Sequence, residues 1–167
     1  MKTLIICISI HHNNTEKIAK AMAEVLNTEI LKPQEVEINT ISKYDLIGFG
    51  SGIYFGKHHK SLLNLVDKLP NLKGKKAFIF STSGVSNAGN FIHNILHKVR
   101  HFHTPLKEKL VKKGIDIIGE FTCKGLDTVG PFKLIGGINK NRPNEKDLKK
   151  AMNFAEELKK SFKDVKL

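Results

Sequence analysis

Short unbroken apolar runs alternate along this chain with longer segments whose apolar residues recur every third or fourth position. Leu4-Ile5-Ile6-Cys7-Ile8 is the first run, the pattern of a strand covered on both faces. Behind it, Ile18, Ala21, Met22, Val25 and Leu26 fall on one side of a helix and leave Lys17, Lys20 and Glu24 to water. Thr28 to Leu31 predicts a short second strand, and Pro33 to Ser42 a connection. Tyr44 to Ser51 predicts a third strand, whose Gly48 and Gly50 mark close approach by another group. It breaks into a loop from Gly52 to Gly56, and from His58 or His59 a helix carries Leu62, Val66 and Leu69 before Pro70 stops it. Lys75 to Ser81 predicts a fourth strand, ending in a polar loop from Thr82 to Gly89. A helical region with Ile92, Ile95, Leu96 and Val99 follows, then a short helix from Thr104-Pro105 to Gly114, then a fifth strand from Ile115 to Phe121. Thr122 to Pro143 is glycine-rich without a clear period, a long irregular stretch of the kind that is functional or disordered in compact domains. Asn144 and Asp147 look like the start of a closing helix bearing Leu148, Ala151, Met152, Ala155, Leu158 and Phe162.

Strands alternating with helices over residues 1–167 predict a single α/β domain, a three-layer sandwich with a parallel sheet between helices. The expected order of its five strands is 2-1-3-4-5. The winding then reverses between the first and third strands, and a ligand belongs at their carboxyl ends. The loops His11 to Thr15, Gly52 to Gly56 and Thr82 to Gly89 converge there.

The first of these loops, Ser9 to Lys17, has the chemistry of an anion site. A helix starting after it aims its first free N–H groups and its positive dipole end at whatever sits above the first strand. Ser9 and Thr15 supply hydroxyl donors, Asn13 and Asn14 supply amides and tolerate left-handed backbone, and His11 and His12 donate as neutral rings or as cations. The competing interpretation is that Asn14 or Thr15 merely caps a helix.

Three motifs taken together resemble the flavodoxin-like flavoproteins, which hold FMN at this switch point. They are Asn14-Thr15-Glu16-Lys17-Ile18-Ala19 after the first strand, Tyr44 to Ser51 leading into Gly52-Ile53-Tyr54-Phe55-Gly56, and Ser81-Thr82-Ser83-Gly84 after the fourth. The resemblance implies a flavodoxin-like fold over the whole chain and an FMN phosphate surrounded by Ser9, His11, His12, Asn13, Asn14 and Thr15. It implies further that Gly52, Ile53, Tyr54 and Phe55 lie along one side of the flavin, with Tyr54 or Phe55 stacked on it, and that Thr82, Ser83 and Gly84 meet its polar edge. The first loop departs from the usual pattern by carrying His12 and Asn13 where a glycine and another hydroxyl are common. Electron transfer with a redox partner protein is the implied function. Gly52 to Leu63 is also similar to the menaquinone-dependent protoporphyrinogen oxidases, so an FMN-dependent oxidoreductase of a quinone or porphyrinogen-type substrate is the alternative, distinguished by steady turnover. Electron transfer itself requires no catalytic acid, base or nucleophile from the protein.

Charge adds a third possibility. Lys and Arg number 28 against 16 acidic residues, a formal net charge of +12, which suits nucleic acid, an anionic surface or an acidic protein. The lysines are scattered rather than gathered in one stripe, and no stacking aromatics alternate with them, so nucleic acid is the less favoured partner and an acidic redox partner the more favoured. A basic binding module with an empty flavin site would show salt-sensitive binding and no flavin affinity. No apolar run reaches the length of a membrane span, and Met1-Lys2-Thr3 leads straight into a strand pattern, so the expected location is the cytoplasm. Two cysteines, Cys7 and Cys123, give no disulfide framework, and Cys123 is expected to be inert despite neighbouring Lys124. His11-His12 and His58-His59 are expected to approach one anion from two sides rather than a metal. His93, His97 and His101 recur on one helix face, a solvated face or an interface. The glycine-rich stretch is left with two roles, a cover over the flavin or a homodimer contact.

Overall fold

A computed structural model of the chain describes residues 1–84 and 102–164. Its strands are β1 (Thr3–Ile8), β2 (Ile30–Leu31), β3 (Leu46–Tyr54), β4 (Lys57–His58), β5 (Lys76–Ser83) and β6 (Asp116–Lys124). The helices are α1 (Asn14–Leu26), α2 (Lys60–Lys68), α3 (Thr104–Lys112) and α4 (Glu145–Asp164), with 3-10 turns at Pro33–Glu35, Ile38–Lys43 and Gly130–Ile135. Five strands pair in parallel in the order β2-β1-β3-β5-β6, the expected topology, and β4 adds a short antiparallel partner to β3. The expected helix bearing Ile92, Ile95, Leu96 and Val99, together with His93, His97 and His101, lies outside the described residues. Among those described, no helix is long and apolar enough to cross a membrane.

Both faces of the sheet are apolar because successive side chains point to opposite sides and both sides are covered. Leu4, Ile6, Ile47, Phe49, Ala77 and Ile79 pack on one side with Leu62 and Val66 of α2 and Leu106 and Leu110 of α3. On the other side Ile5, Cys7, Phe78 and Phe80 meet Ile18 and Met22 of α1 and Ala151, Ala155 and Leu158 of α4. This is the three-layer α/β architecture. At the start of α4, the Asn144 N–H donates to Asp147 at 2.9 Å and the Asp147 N–H donates back to the Asn144 side chain at 3.2 Å, a reciprocal cap. Burial opposes a charge on Asp147. The Arg142 and Asn144 hydrogen bonds outweigh it and hold the carboxyl below its usual range.

Three strands run past their expected ends; in β5, Thr82 and Ser83, read as the start of a loop, pair with Cys123 and Lys124. The segment read as a loop from Gly52 is strand as far as Tyr54, because Ile53 and Tyr54 pair with His58 and Lys57 of β4 across a two-residue turn. Thr122 to Lys124, read as irregular, complete β6 opposite Ser81 to Ser83 of β5. None of these extensions leaves an apolar pattern, since all rest on backbone pairing with a partner strand.

Gly48 and Gly50 of β3 owe their identity to aromatic rings rather than to a ligand. A Cβ at either would overlap the ring of Phe78 or Phe80 on neighbouring β5. Gly50→Ala is therefore expected to destabilise the fold by about 1–3 kcal/mol through overpacking. A lower urea midpoint at unchanged slope checks this, and a wild-type midpoint would show that the ring moves aside freely.

Candidate functional site

The carboxyl ends of β1, β3 and β5 open into a cleft of about 250 Å³. The chain leaves β1 through Ser9, Ile10 and His11, then turns sharply because His12 (φ 56°) and Asn13 (φ 52°) are both left-handed. Asn14 and Thr15 are thus helical rather than capping residues, and the cap position, Asn13, makes no side-chain cap bond. The first α-helical bond of α1 runs from the Lys17 N–H to the Asn13 carbonyl at 3.0 Å. The N–H groups of the preceding turn have no helical acceptor, and they carry the positive end of the helix dipole.

Thr15 is 1% exposed, and its hydroxyl lies 2.7 Å from that of Thr82 at the end of β5. One hydroxyl donates to the other, and the accepting hydroxyl keeps its own proton for a further acceptor. Asn14 is committed differently. Its Nδ2 donates to the Leu126 carbonyl at 2.8 Å, while its Oδ1 is buried without a partner among the described residues. Ser9, His11, Asn14 and Thr15 line the cleft, whereas His12 and Asn13 do not. His12 instead hydrogen-bonds the Thr128 hydroxyl through Nε2 at 2.8 Å.

On the β3 side the cleft is lined by Gly52, Ile53, Tyr54 and Phe55. The Tyr54 ring packs edge-on to His59 at 5.4 Å and tilted to His11 at 6.0 Å. Burial raises its pKa. Phe55 (φ 50°) and Gly56 (φ 82°) form the hairpin turn, with the two left-handed central residues of a type I′ turn. Thr82, Ser83 and Gly84 line the β5 side. The rest of the expected loop, residues 85–89, lies outside the described residues.

A further wall comes from the glycine-rich stretch, whose role the sequence left open. Gly125, Leu126, Asp127, Thr128, Val129 and Phe132 face the cleft. An isolated bridge between Asp127 and Ile138 folds this segment back on itself, and Asn139 Nδ2 donates to the Gly84 carbonyl at 2.8 Å. Gly84 must lack a Cβ because one would overlap the Asp127 side chain. His12 and Asn14 thereby act as anchors for this wall, a role their side-chain chemistry allowed but their spacing did not reveal.

Of the two histidine pairs, His11, His58 and His59 line one groove beside the Tyr54–Phe55 turn, while His12 is bonded to Thr128. His58 is buried with Nδ1 2.8 Å from the Ser51 hydroxyl, and His59 caps α2 by accepting from the Ser61 N–H at 3.2 Å. Beside His58, His103 bridges the buried Ser81 hydroxyl (2.8 Å) and Glu120 (2.9 Å), and Lys107 holds the other Glu120 oxygen at 2.6 Å. The His58 and His103 rings are 5.1 Å apart. Burial, reinforced by His103, pushes His58 down to about 3, and burial lowers His103 despite Glu120. Burial disfavours a charge on both rings; His103 donates through Nδ1 to Glu120, and the Ser81 hydroxyl beside its Nε2 donates to the Thr122 hydroxyl at 3.1 Å. Sequence reading missed this cluster because its partners lie on different strands. Cys123 has no lowered pKa from Lys124, since burial pushes it up to about 12, and Cys7 likewise. Both thiols are free.

Residues 5–115 match the flavodoxin domain family model. An uncharacterised protein of Methanocaldococcus jannaschii is 53% identical over 158 residues, covering 95% of this chain and 98% of that protein. The flavodoxin-like domain-containing protein BilS of Clostridioides difficile is 26% identical, covering 94% and 85%. The crystal structure of Fusobacterium nucleatum flavodoxin bound to flavin mononucleotide superimposes with a TM-score of 0.61 at 16% identity, covering 96% and 99%. At that identity the likeness concerns the fold.

The neutral burial of His58 has a consequence for acid stability. The unfolded chain takes up its proton near pH 6.5 and the folded chain only near pH 3, so stability falls as pH drops through that window. The loss is at most about 1.4 kcal/mol per pH unit. Urea midpoints from about pH 7.5 to about pH 5 should fall less steeply in His58→Gln than in the wild type; equal slopes would assign the acid sensitivity elsewhere.

Proposed function

This chain belongs to the flavodoxin domain family, and on that premise we propose that it holds FMN in the cleft and serves in electron transfer. The observation that carries this reading is the uncapped amino end of α1 beside the Thr15–Thr82 hydroxyl pair. Donors, a positive dipole end and no opposing carboxylate in that turn other than the outward Glu16–Lys20 pair suit a dianionic phosphate. The residues present fit the cofactor. Ser9, His11, the N–H groups at the start of α1 and the spare hydroxyl proton would hold the phosphate. The ring would lie between Gly52, Ile53 and Tyr54 on one side and the Gly125–Val129 wall on the other, with Phe55 outermost at its rim and its polar edge toward Thr82, Ser83 and Gly84.

When bound, FMN supplies the redox chemistry. The protein's work is to orient it, exclude water from all but one edge, and fix the wall through Asn14, His12 and Asn139. Asn14 Oδ1, buried and without a partner among the described residues, is an acceptor suited to a cofactor hydroxyl or N–H.

The visible spectrum of the purified protein, before and after reconstitution with FMN, tests this reading. Flavin absorbance at about one equivalent per chain is expected. Thr15→Val should weaken FMN binding roughly 10–100-fold, the effect of removing a hydrogen bond to a charged group. A chain that takes up no FMN overturns the proposal, and wild-type affinity in the variant removes Thr15 from it.

A further inference from the structure

The large apolar side chains that the described structure leaves exposed gather at one end of the molecule. Ile10, Phe55, Val129, Leu134 and Ile135 all sit on the loops that build the cleft, while Met1 and Val111 lie at the opposite end of the sheet. Phe55 is 99% exposed and also left-handed, at φ 50°. A bulky residue is disfavoured in that backbone, and an exposed ring adds a hydration penalty. Asn or Gly would serve the turn better, so the ring's use lies outside the fold.

The surroundings of these residues specify what covers them. On the far side of the Tyr54–Phe55 turn from the cleft, a groove of about 560 Å³ has an apolar wall of Ile10, Tyr54, Phe55 and Leu63 beside His11, His58 and His59, flanked by Lys57 and Lys60, with the Lys109–Asp67 ion pair at its edge. Around the cleft and groove among the described residues, Lys57, Lys60, Lys124, Lys133 and Lys140 stand against Asp127, while Lys109 is paired with Asp67 and Arg142 with Asp147. Asp127 turns inward and accepts the Val129 N–H at 2.8 Å. The outward face is therefore an apolar centre ringed by cations, continuous with the edge through which electrons would pass. A second copy, carrying the same +12, would be repelled. A nucleic-acid strand would leave the apolar centre without a partner.

Resting on the electron-transfer reading, we infer that this face docks an acidic redox protein whose contact patch is an apolar centre ringed by carboxylates, with Phe55 as the buried anchor. Carboxylates meeting Lys57 and Lys60 steer the approach, and the apolar contact sets the lifetime of the complex.

Binding to an immobilised acidic plant-type ferredoxin, measured on flavin-loaded protein by biolayer interferometry, tests the surface. Saturable binding should weaken roughly tenfold as salt rises from about 0.01 M to about 0.1 M, which shortens the Debye length from about 30 Å to about 10 Å. Lys57→Glu and Phe55→Ser should each weaken it roughly fivefold or more. Lys73→Glu makes the same change of charge at the opposite end of the sheet and should cost less than about twofold. Absence of saturable binding, an equal loss in Lys73→Glu, or a neutral Phe55→Ser overturns the inference. FMN content is read from the absorbance of the same samples. A chain that refuses FMN refutes the electron-transfer reading, while its ferredoxin binding still decides the surface.

Discussion

The amino end of α1, held open at the mouth of β1, is the constraint on which the cleft depends. A pair of left-handed residues, His12 and Asn13, bends the chain so tightly that the helix begins without a side-chain cap. The Asn14 N–H reaches back to the His11 carbonyl at 3.5 Å, and the N–H groups that follow it have no helical acceptor, at the place where the sheet winding reverses. The side chains that could have satisfied them are committed elsewhere: His12 to Thr128, Asn14 to the Leu126 carbonyl, Thr15 to Thr82. The same three residues fasten the loop to β5 and to the segment after β6, so an unsatisfied helix end and a defined cleft wall arise from one arrangement.

Along the sheet face that carries Phe49 and Ile79, the apolar core changes to polar contacts two residues on, at Ser51 and Ser81. Ser51 and Ser81 are neighbours in register across β3 and β5, and each is paired with a buried neutral imidazole. Hydrogen bonds to serine and Glu120 make burial of these rings tolerable, and the absence of charge avoids repulsion across 5.1 Å. The cluster fixes the ends of β3 and β5, with its charge kept at Glu120 and Lys107 on the outer side of His103.

Much of this architecture was legible in the sequence, for a physical reason. Runs such as Leu4–Ile8 and Lys75–Ser81, alternating with amphipathic segments, leave little choice but a parallel sheet covered on both faces, and the junction at Ser9–Lys17 announces a helix start rich in donors. What stayed hidden depends on partners distant in the chain. The end of β3 is strand because Lys57 and His58 pair with it, and Phe55 becomes a turn residue only then. The wall from Gly125 to Val129 has no period, being held by a single bridge and by Asn14, His12 and Asn139. Its glycines were the only hint. His58 looked like a loop histidine because nothing near it in sequence reveals Ser51 above an apolar core.

The central claim is that the open helix end recognises a phosphate, and the most direct measurement is the difference in affinity between FMN and riboflavin for the stripped protein. The two ligands share the ring and the ribityl chain and differ in the phosphate. The account predicts that FMN binds roughly 100-fold more tightly or better, the contribution of two or more charge-assisted hydrogen bonds with the helix dipole. Equal affinity for the two, with flavin bound, would show that the cleft holds the ring without using the amino end of α1.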